Sequence, residues 1–302
     1  MLYLGIDGGG TKSAYTLIDG EGRVVKEGIS EGLNTHAIGA ERAAENLALG
    51  LERLLGAVPA VNDLSAICLA CAGLGRATDK ATWAGIFSHL DITCPALFAS
   101  DIEAALMGGL HKRTGIAVLS GTGSIAAGYD ESGAFARAGG FGHIIGDEGS
   151  AYDIGRRILN AVVRAYDGLA RPTVLTGQVL SKLGLADVPD LVPVIYGYKD
   201  KKDIAAFAEL LGPALAAGDE AAAEIAEAAA QSLAELGAAA ARKLGFAGGF
   251  DMTTGGGILT NNAYIYKRFA EMIAEALPEA RLVKPKSPPS YGAALMALLE
   301  PR

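Results

Sequence analysis

The sequence predicts an α/β protein built from two related domains, and three observations carry that reading. The chain has 302 residues, enough for two domains of ordinary size. Apolar strand-like runs alternate with segments of helical period. One pattern also occurs twice. Residues 4–25 run strand, Gly/hydroxyl turn, strand, Asp-x-x-Gly turn, strand, and residues 116–135 repeat it with similar spacing between the turns. Each copy opens a domain, and the two turn tips are expected to face a shared cleft. The boundaries read as 1–114 together with a last helix at about 287–302, and 115–286.

Met1–Asp7 reads as the first strand. It lacks the basic start and small-residue cleavage site of a signal peptide. After the first meander come a helix near Glu41–Leu55, a strand at Leu64–Ala72, a helix near Asp79–His89 and a short strand at Ala96–Ser100. After the second meander a helix begins near Gly149 and runs to Tyr166. Residues 168–203, with Pro172, Pro189 and Pro193, read as irregular. Residues 203–245 are Ala-rich and helical by period, with Gly245 as C-cap, and serve as scaffold or oligomer surface. A strand, Phe250–Thr253, precedes a helix at about Asn262–Leu277 that Pro278 stops. The last helix starts at Pro288-Pro289 and carries Tyr291-Gly292-Ala293-Ala294, small enough for close packing.

The net charge of −8 argues against nucleic acid or an anionic membrane as partner. No apolar run reaches the ~18 residues of a membrane span, and a cytoplasmic enzyme is expected. Cys68, Cys71 and Cys94 make no disulfide framework. The C-x-x-C of Cys68 and Cys71 lies in a buried-strand pattern with no second Cys/His pair to complete a zinc site, so all three read as core residues.

Asp7-Gly8-Gly9-Gly10-Thr11-Lys12 follows a strand. Its glycines allow a tight turn with positive φ and leave backbone N–H groups bare toward a ligand. Thr11 adds a hydroxyl, Lys12 a cation, and Asp7 can hold a hydrated Mg²⁺; a nucleoside triphosphate needs all of these. Ser120-Gly121-Thr122-Gly123-Ser124 is the matching turn of the second copy, and its hydroxyls again suggest phosphate contact. Thr254-Gly255-Gly256-Gly257-Ile258 is a third glycine cluster, where a flat adenine and ribose can lie on backbone. Neither a G-x-x-x-x-G-K-[ST] nor a strand-borne G-x-G-x-x-G occurs, so P-loop and Rossmann sites are not indicated. Asp101, at a strand end entering a helix, is either a general base or a helix N-cap. Gly139–Ala151 is dense in glycine and holds His143, Asp147 and Glu148, a composition suited to lining a sugar; His143 is equally consistent with bonding backbone.

Together these residues resemble the actin–hexokinase–chaperone ATPase superfamily. Within it they are similar to the N-acetylglucosamine kinase branch, which also holds the BadF/BadG-type ATPases. Asp7–Lys12 matches the first phosphate loop, Ser120–Ser124 the second and Thr254–Leu259 the adenosine loop; Gly139–Ala151, ending in Gly-Asp-Glu-Gly-Ser-Ala, is the most family-specific match. The resemblance implies two duplicated actin-like, ribonuclease H-like domains around a central nucleotide and sugar cleft. It implies ATP and Mg²⁺ as cofactors, a homodimer, and transfer of a phosphoryl group to the 6-hydroxyl of an amino sugar. Asp101 becomes the base. Asn34, Thr35, Asp147 and Gly140-Phe141-Gly142 hold the sugar. Gly8, Gly9, Gly10, Thr11, Lys12, Gly121, Thr122, Gly123, Gly255, Gly256 and Gly257 hold the nucleotide, and Asp7 holds Mg²⁺ through water. One departure is Ile125, where sugar-kinase relatives carry a sugar-contacting Asn. The Cys-rich zinc loop of the repressor/kinase group is absent, and the cysteines are not placed for the iron–sulfur cluster of dehydratase activators. Glucosamine or N-acetylmuramic acid is an alternative substrate. A conformational-switch ATPase acting on a partner protein is the reading from another class. A sugar-sensing regulator would need an added DNA-binding domain.

Overall fold

The computed structural model describes residues 1–198, 200–246 and 248–300. In chain order the strands are β1 (Leu2–Gly8), β2 (Lys12–Asp19), β3 (Val24–Glu31), β4 (Ala66–Cys71), β5 (Ala96–Ser100), β6 (Gly115–Ser120), β7 (Ser124–Tyr129), β8 (Phe135–Gly139), β9 (Phe250–Gly255) and β10 (Ala280–Val283). The α-helices before β6 are α1 (Thr35–Ile38), α2 (Ala40–Leu55), α3 (Ala77–His89) and α4 (Asp101–Leu110). Those that follow are α5 (Ala151–Tyr166), α6 (Leu175–Leu183), α7 (Leu191–Tyr198), α8 (Lys201–Ala205), α9 (Leu211–Ala216), α10 (Glu220–Leu244), α11 (Gly257–Asn261), α12 (Ala263–Ala276) and α13 (Pro289–Leu299). The chain divides into two compact units, Met1–Ala117 with Val283–Arg302, and Val118–Leu282.

The first sheet has the order β3-β2-β1-β4-β5, and the second, read from β8, has the order β8-β7-β6-β9-β10. Position by position the two orders are the same. The repeat legible in the meanders therefore extends to the two strands that complete each sheet. In the first sheet β1, β2 and β3 pair antiparallel, whereas β4 runs parallel to both β1 and β5.

Strand alternation builds two cores in the first unit. Leu4 and Ile6 of β1 with Ile67, Leu69 and Cys71 of β4 face Leu47 and Leu51 of α2 and Trp83 and Phe87 of α3. Tyr3, Cys68 and Ala70 face Met107 of α4 and Ala293, Ala294 and Met296 of α13. Cys68 and Cys71, three apart on one strand, thus point to opposite faces of the sheet, and this pair cannot grip one metal. All three cysteines are buried and free. The small stretch in α13 packs as its composition predicts: a Cβ on Gly292 would lie 2.0 Å from the Ala104 carbonyl of α4.

One stretch differs from the sequence expectation. Residues 168–203 hold α6, α7 and the start of α8 rather than irregular chain. Pro189 sits in a 3₁₀ turn and Pro193 in the first turn of α7, where a missing N–H costs nothing. The Ala-rich stretch is helical as its period predicts, in several helices. Gly218, with φ +73°, ends α9's exit turn, and Asp219 caps α10 by accepting from the Ala222 N–H. Strand β10 is four residues long, half-buried but for the exposed Arg281, and too short to carry a period. Among the described residues no helix is long and apolar enough to cross a membrane.

Candidate active site

In the first unit the register aligns strand ends: Gly8 of β1 lies opposite Cys71 of β4, and Cys71 opposite Ser100 of β5. Asp7 and Asp101 therefore sit at the carboxyl edge of a sheet, where open α/β folds bind ligands. The capping alternative for Asp101 is answered by its neighbour. Ser100 takes the N-cap position, and the Glu103 carboxylate accepts from the Ser100 N–H at 2.9 Å and from its Oγ at 2.7 Å. Asp101, the first residue of α4, accepts one bond, from the Ile102 N–H at 3.0 Å. Burial pushes its carboxyl above the usual range, and Glu103 adds to the rise. Asp7 is pushed up to about 6, first by burial and then by the charge of Asp101, with Lys12 pulling the other way.

The first phosphate loop is a hairpin tip. The Gly9 N–H donates to the Lys12 carbonyl at 3.1 Å, and the Gly9 carbonyl accepts from Leu33 and Asn34 N–H groups at 2.9 and 3.1 Å. Gly8, Gly9 and Gly10 do not adopt the left-handed conformation expected of them. Glycine is required at position 9 for another reason: a Cβ there would lie 2.7 Å from the Lys12 carbonyl oxygen. Gly10, Thr11 and Lys12 are exposed. Asn34 caps the short α1, its Oδ1 accepting from the His36 N–H at 3.0 Å, which leaves the carboxamide NH₂ for a ligand. Thr35 beside it is half-buried, and His36 Nε2 pairs with Asp79 Oδ1 at 3.0 Å.

The second unit holds its phosphate loop differently. Ser120 Oγ donates to the Gly149 carbonyl at 2.8 Å and Ser124 Oγ to the Glu148 carbonyl at 2.7 Å. The Ala151 N–H donates to the Gly121 carbonyl at 2.8 Å. Ser120 and Ser124 are buried staples, and the expectation of three phosphate-facing hydroxyls reduces to one: Thr122 is exposed, between the half-buried Gly121 and Gly123. The adenosine loop leans on the same turn. Gly256, with φ +82°, could not carry a side chain, because its Cβ would meet the Ser120 carbonyl oxygen at 2.3 Å. Gly256 and Gly257 are exposed, and Gly255 ends β9 half-buried.

In the Gly139–Ala151 loop, Gly139, Gly140 and Gly142 all have positive φ. Ile125 packs against Gly140, where a Cβ would be 2.8 Å from the Ile125 Cδ1. Phe141 is exposed beneath the Arg137 guanidinium, 4.9 Å from the ring centroid. The His143 ring meets Tyr152 edge-on at 4.7 Å. Asp147 departs from the picture of an open sugar ligand. It is only 3% exposed, in the left-handed conformation at φ 63°, with its Oδ2 on the Lys201 ammonium at 2.8 Å. A sugar hydroxyl reaching Asp147 shares it with Lys201. No sequence signal marked Lys201, which lies in the stretch read as irregular. Nor did any signal mark Asp153, which accepts from the Gly149 N–H at 3.1 Å and pairs with Arg156 and Arg157.

Among the described residues no cluster of three or more His, Cys, Asp or Glu forms a metal cage. One half-buried carboxylate crowded by a second acid suits a cation that keeps most of its waters, which is how Mg²⁺ binds beside phosphates.

The chain's similarities agree with this arrangement. The model of the BadF/BadG/BcrA/BcrD ATPase family matches residues 4–297. An N-acetylmuramic acid/N-acetylglucosamine kinase of Clostridium acetobutylicum is 33% identical over 300 residues, covering 98% of each chain. An N-acetyl-D-glucosamine kinase of Dictyostelium discoideum is 30% identical, again with 98% of each chain covered. The crystal structure of a candidate N-acetylglucosamine kinase from Chromobacterium violaceum shares the fold, with a TM-score of 0.76 at 24% identity over 99% of each chain. With a matched family model over nearly its full length, the chain belongs to the BadF/BadG/BcrA/BcrD ATPase family.

Proposed function

We propose that this protein is an ATP-dependent sugar kinase that phosphorylates the 6-hydroxyl of an amino sugar, N-acetylglucosamine first. The observation that carries the reading is Asp101: a carboxylate at the carboxyl edge of the sheet, relieved of capping by Ser100. The relatives that match 98% of the chain are both named as kinases of N-acetylglucosamine, and one also as a kinase of N-acetylmuramic acid, which makes that sugar the second substrate to test.

Asp101 accepts the proton of the sugar 6-hydroxyl as that oxygen attacks the γ-phosphorus of ATP, and ADP leaves. A carboxylate raised toward neutrality is a better base at physiological pH than an ordinary one. Asn34, through its free NH₂, Asp147 and the Gly140–Gly142 backbone orient the sugar. Thr11, Lys12, Thr122 and the loop N–H groups of both units take the phosphates, and Gly255–Gly257 carry the adenosine. Asp7 would hold Mg²⁺ through water, and the ion would supply charge neutralisation for the phosphates. Phosphoryl transfer demands little beyond such positioning and neutralisation. A cytoplasmic homodimer belongs to the same proposal.

The test is ADP release with Mg-ATP against N-acetylglucosamine, N-acetylmuramic acid, glucosamine and glucose. Stimulation by an amino sugar, lost in Asp101→Asn while nucleotide binding persists, is expected. ATP turnover indifferent to every sugar would sink the reading.

A further inference from the structure

The pairing of Lys201 with Asp147 joins residues 54 apart in sequence, and its surroundings form a closed mechanical circuit within the second unit. The loop residue Asp147 lies a few residues before α5. Its carbonyl accepts from the N–H of Ser150, the N-cap of that helix, at 3.1 Å. Inside α5, Gly155 admits the backbone of α8: a Cβ there would lie 2.0 Å from the Ile204 carbonyl oxygen. The start of α8 is fixed by Asp200, whose carboxylate accepts from the N–H groups of Lys202 and Asp203 at 2.8 and 3.0 Å. Lys201, the first residue of α8, then reaches back to Asp147 Oδ2 at 2.8 Å. Loop, α5, Gly155, α8 and Lys201 close on the loop again.

The circuit holds something that would not hold itself. A nearly buried carboxylate without a counter-charge is strongly disfavoured. A non-glycine residue in the left-handed region adds backbone strain, which persists only where surroundings impose it and which clusters at functional sites. The imposed conformation places Asp147 Oδ2 where a Cβ on Gly123 would be only 3.0 Å away, and Oδ1 3.4 Å from the Ser124 N–H. The carboxylate is thus lodged under the second phosphate loop, at the residue assigned above to the sugar.

We infer that Lys201 is a positioning residue for the sugar. It holds the Asp147 carboxylate in place by the 2.8 Å contact, and the helical segment α6–α9 delivers it. The inference rests on the kinase reading and on Asp147 as a sugar ligand. Lys201 acts through Asp147, so its removal weakens sugar binding and leaves ATP binding alone.

The experiment is steady-state kinetics of Lys201→Met, Lys201→Arg, Asp147→Asn and the double variant Lys201→Met/Asp147→Asn. Binding of a non-hydrolysable ATP analogue and thermal unfolding are measured alongside. Lys201→Met is expected to raise the KM for the sugar about tenfold or more, with kcat and analogue affinity changed less than about threefold. Lys201→Arg is expected to recover most of the loss. In the Asp147→Asn background the lysine change is expected to add little, as for two residues acting as one unit. The inference is overturned if Lys201→Met leaves the sugar KM within about twofold, or if sugar and ATP parameters worsen together, the mark of a merely structural strut. Should Lys201→Met not fold, Lys201→Gln takes its place under the same criteria: a sugar KM within about twofold of the parent overturns the inference. Wild-type protein that no sugar stimulates fails the kinase reading instead, a different outcome from a sugar kinase indifferent to Lys201.

Discussion

The two phosphate loops stand at equivalent places in sheets of the same strand order, yet they are held in different ways. In the first unit the loop is a bare hairpin tip. Gly10, Thr11 and Lys12 are exposed, and the loop is anchored by backbone bonds of Gly9. In the second, the serines at both ends of the loop are buried and donate to carbonyls of the Gly139–Ala151 segment, while Gly256 presses on the Ser120 carbonyl. One copy leaves its loop side chains exposed and carries the half-buried acids Asp7 and Asp101. The other turns both of its serines inward and leaves only the Thr122 side chain exposed. On the proposed reading the duplicated fold divides its labour: chemistry in the first unit, support in the second.

Four tests probe that division, from largest to smallest effect. Asp101→Asn is expected to lower kcat by roughly 10²–10⁴-fold, while the melting temperature does not fall; rapid-quench assays and calorimetry check the two halves. A large loss of stability here would mean that Asp101 is structural after all. Gly256→Val places a Cβ against the Ser120 carbonyl and forces a branched residue to positive φ. A loss of about 3 kcal/mol or more is expected by chemical denaturation, against less than about 0.5 kcal/mol for Gly10→Ala, which meets nothing nearer than 4.0 Å. Equal losses at both positions would erase the contrast between the loops.

The third test uses pH. Asp7 ionises near 6 in the fold against an ordinary 3.8. Below the ordinary value it is protonated folded or unfolded and costs nothing. As pH rises through the interval only the unfolded state releases the proton, so stability falls, and above the folded value the penalty is constant. Asp7→Asn is therefore expected to match the parent near pH 3 and to exceed it by about 3 kcal/mol at pH 7, read by thermal melts without nucleotide. An advantage that shrinks as pH rises would contradict the assigned burial. The smallest effects separate the hydroxyls. Ser124→Ala is expected to cost about 1–2 kcal/mol of stability by stranding the Glu148 carbonyl. Thr11→Ala is expected to cost almost no stability but about tenfold in kcat/KM for ATP, the worth of one hydrogen bond to a charged group. Reversed outcomes would reverse the roles of the two loops.

Much of this site is legible in the chain because its signals are local. Three glycines before Thr-Lys after a strand, the echo at Ser120–Ser124, and Asp101 at a strand–helix junction each follow from a few consecutive residues. What was not legible depends on who lies across the fold. The choice between base and cap at Asp101 rested on Glu103 turning back to Ser100. The left-handed torsions assigned to Gly8–Gly10 were absent because the tip closes as a hairpin, and glycine is kept there for close approach. Helices α6–α8 were hidden by prolines that sit in turns and first helical positions.

The sequence by itself determined the two α/β repeats, the buried strands, the acidic surface and the residue types gathered at the strand ends, because periodicity and turn chemistry act over a few neighbours. Only the tertiary structure decided which hydroxyls face inward, that Cys68 and Cys71 look to opposite sides of a sheet, and that Lys201 meets Asp147. Those outcomes turn on burial: a polar group taken out of water must find its partner wherever the fold brings one, however distant in the chain.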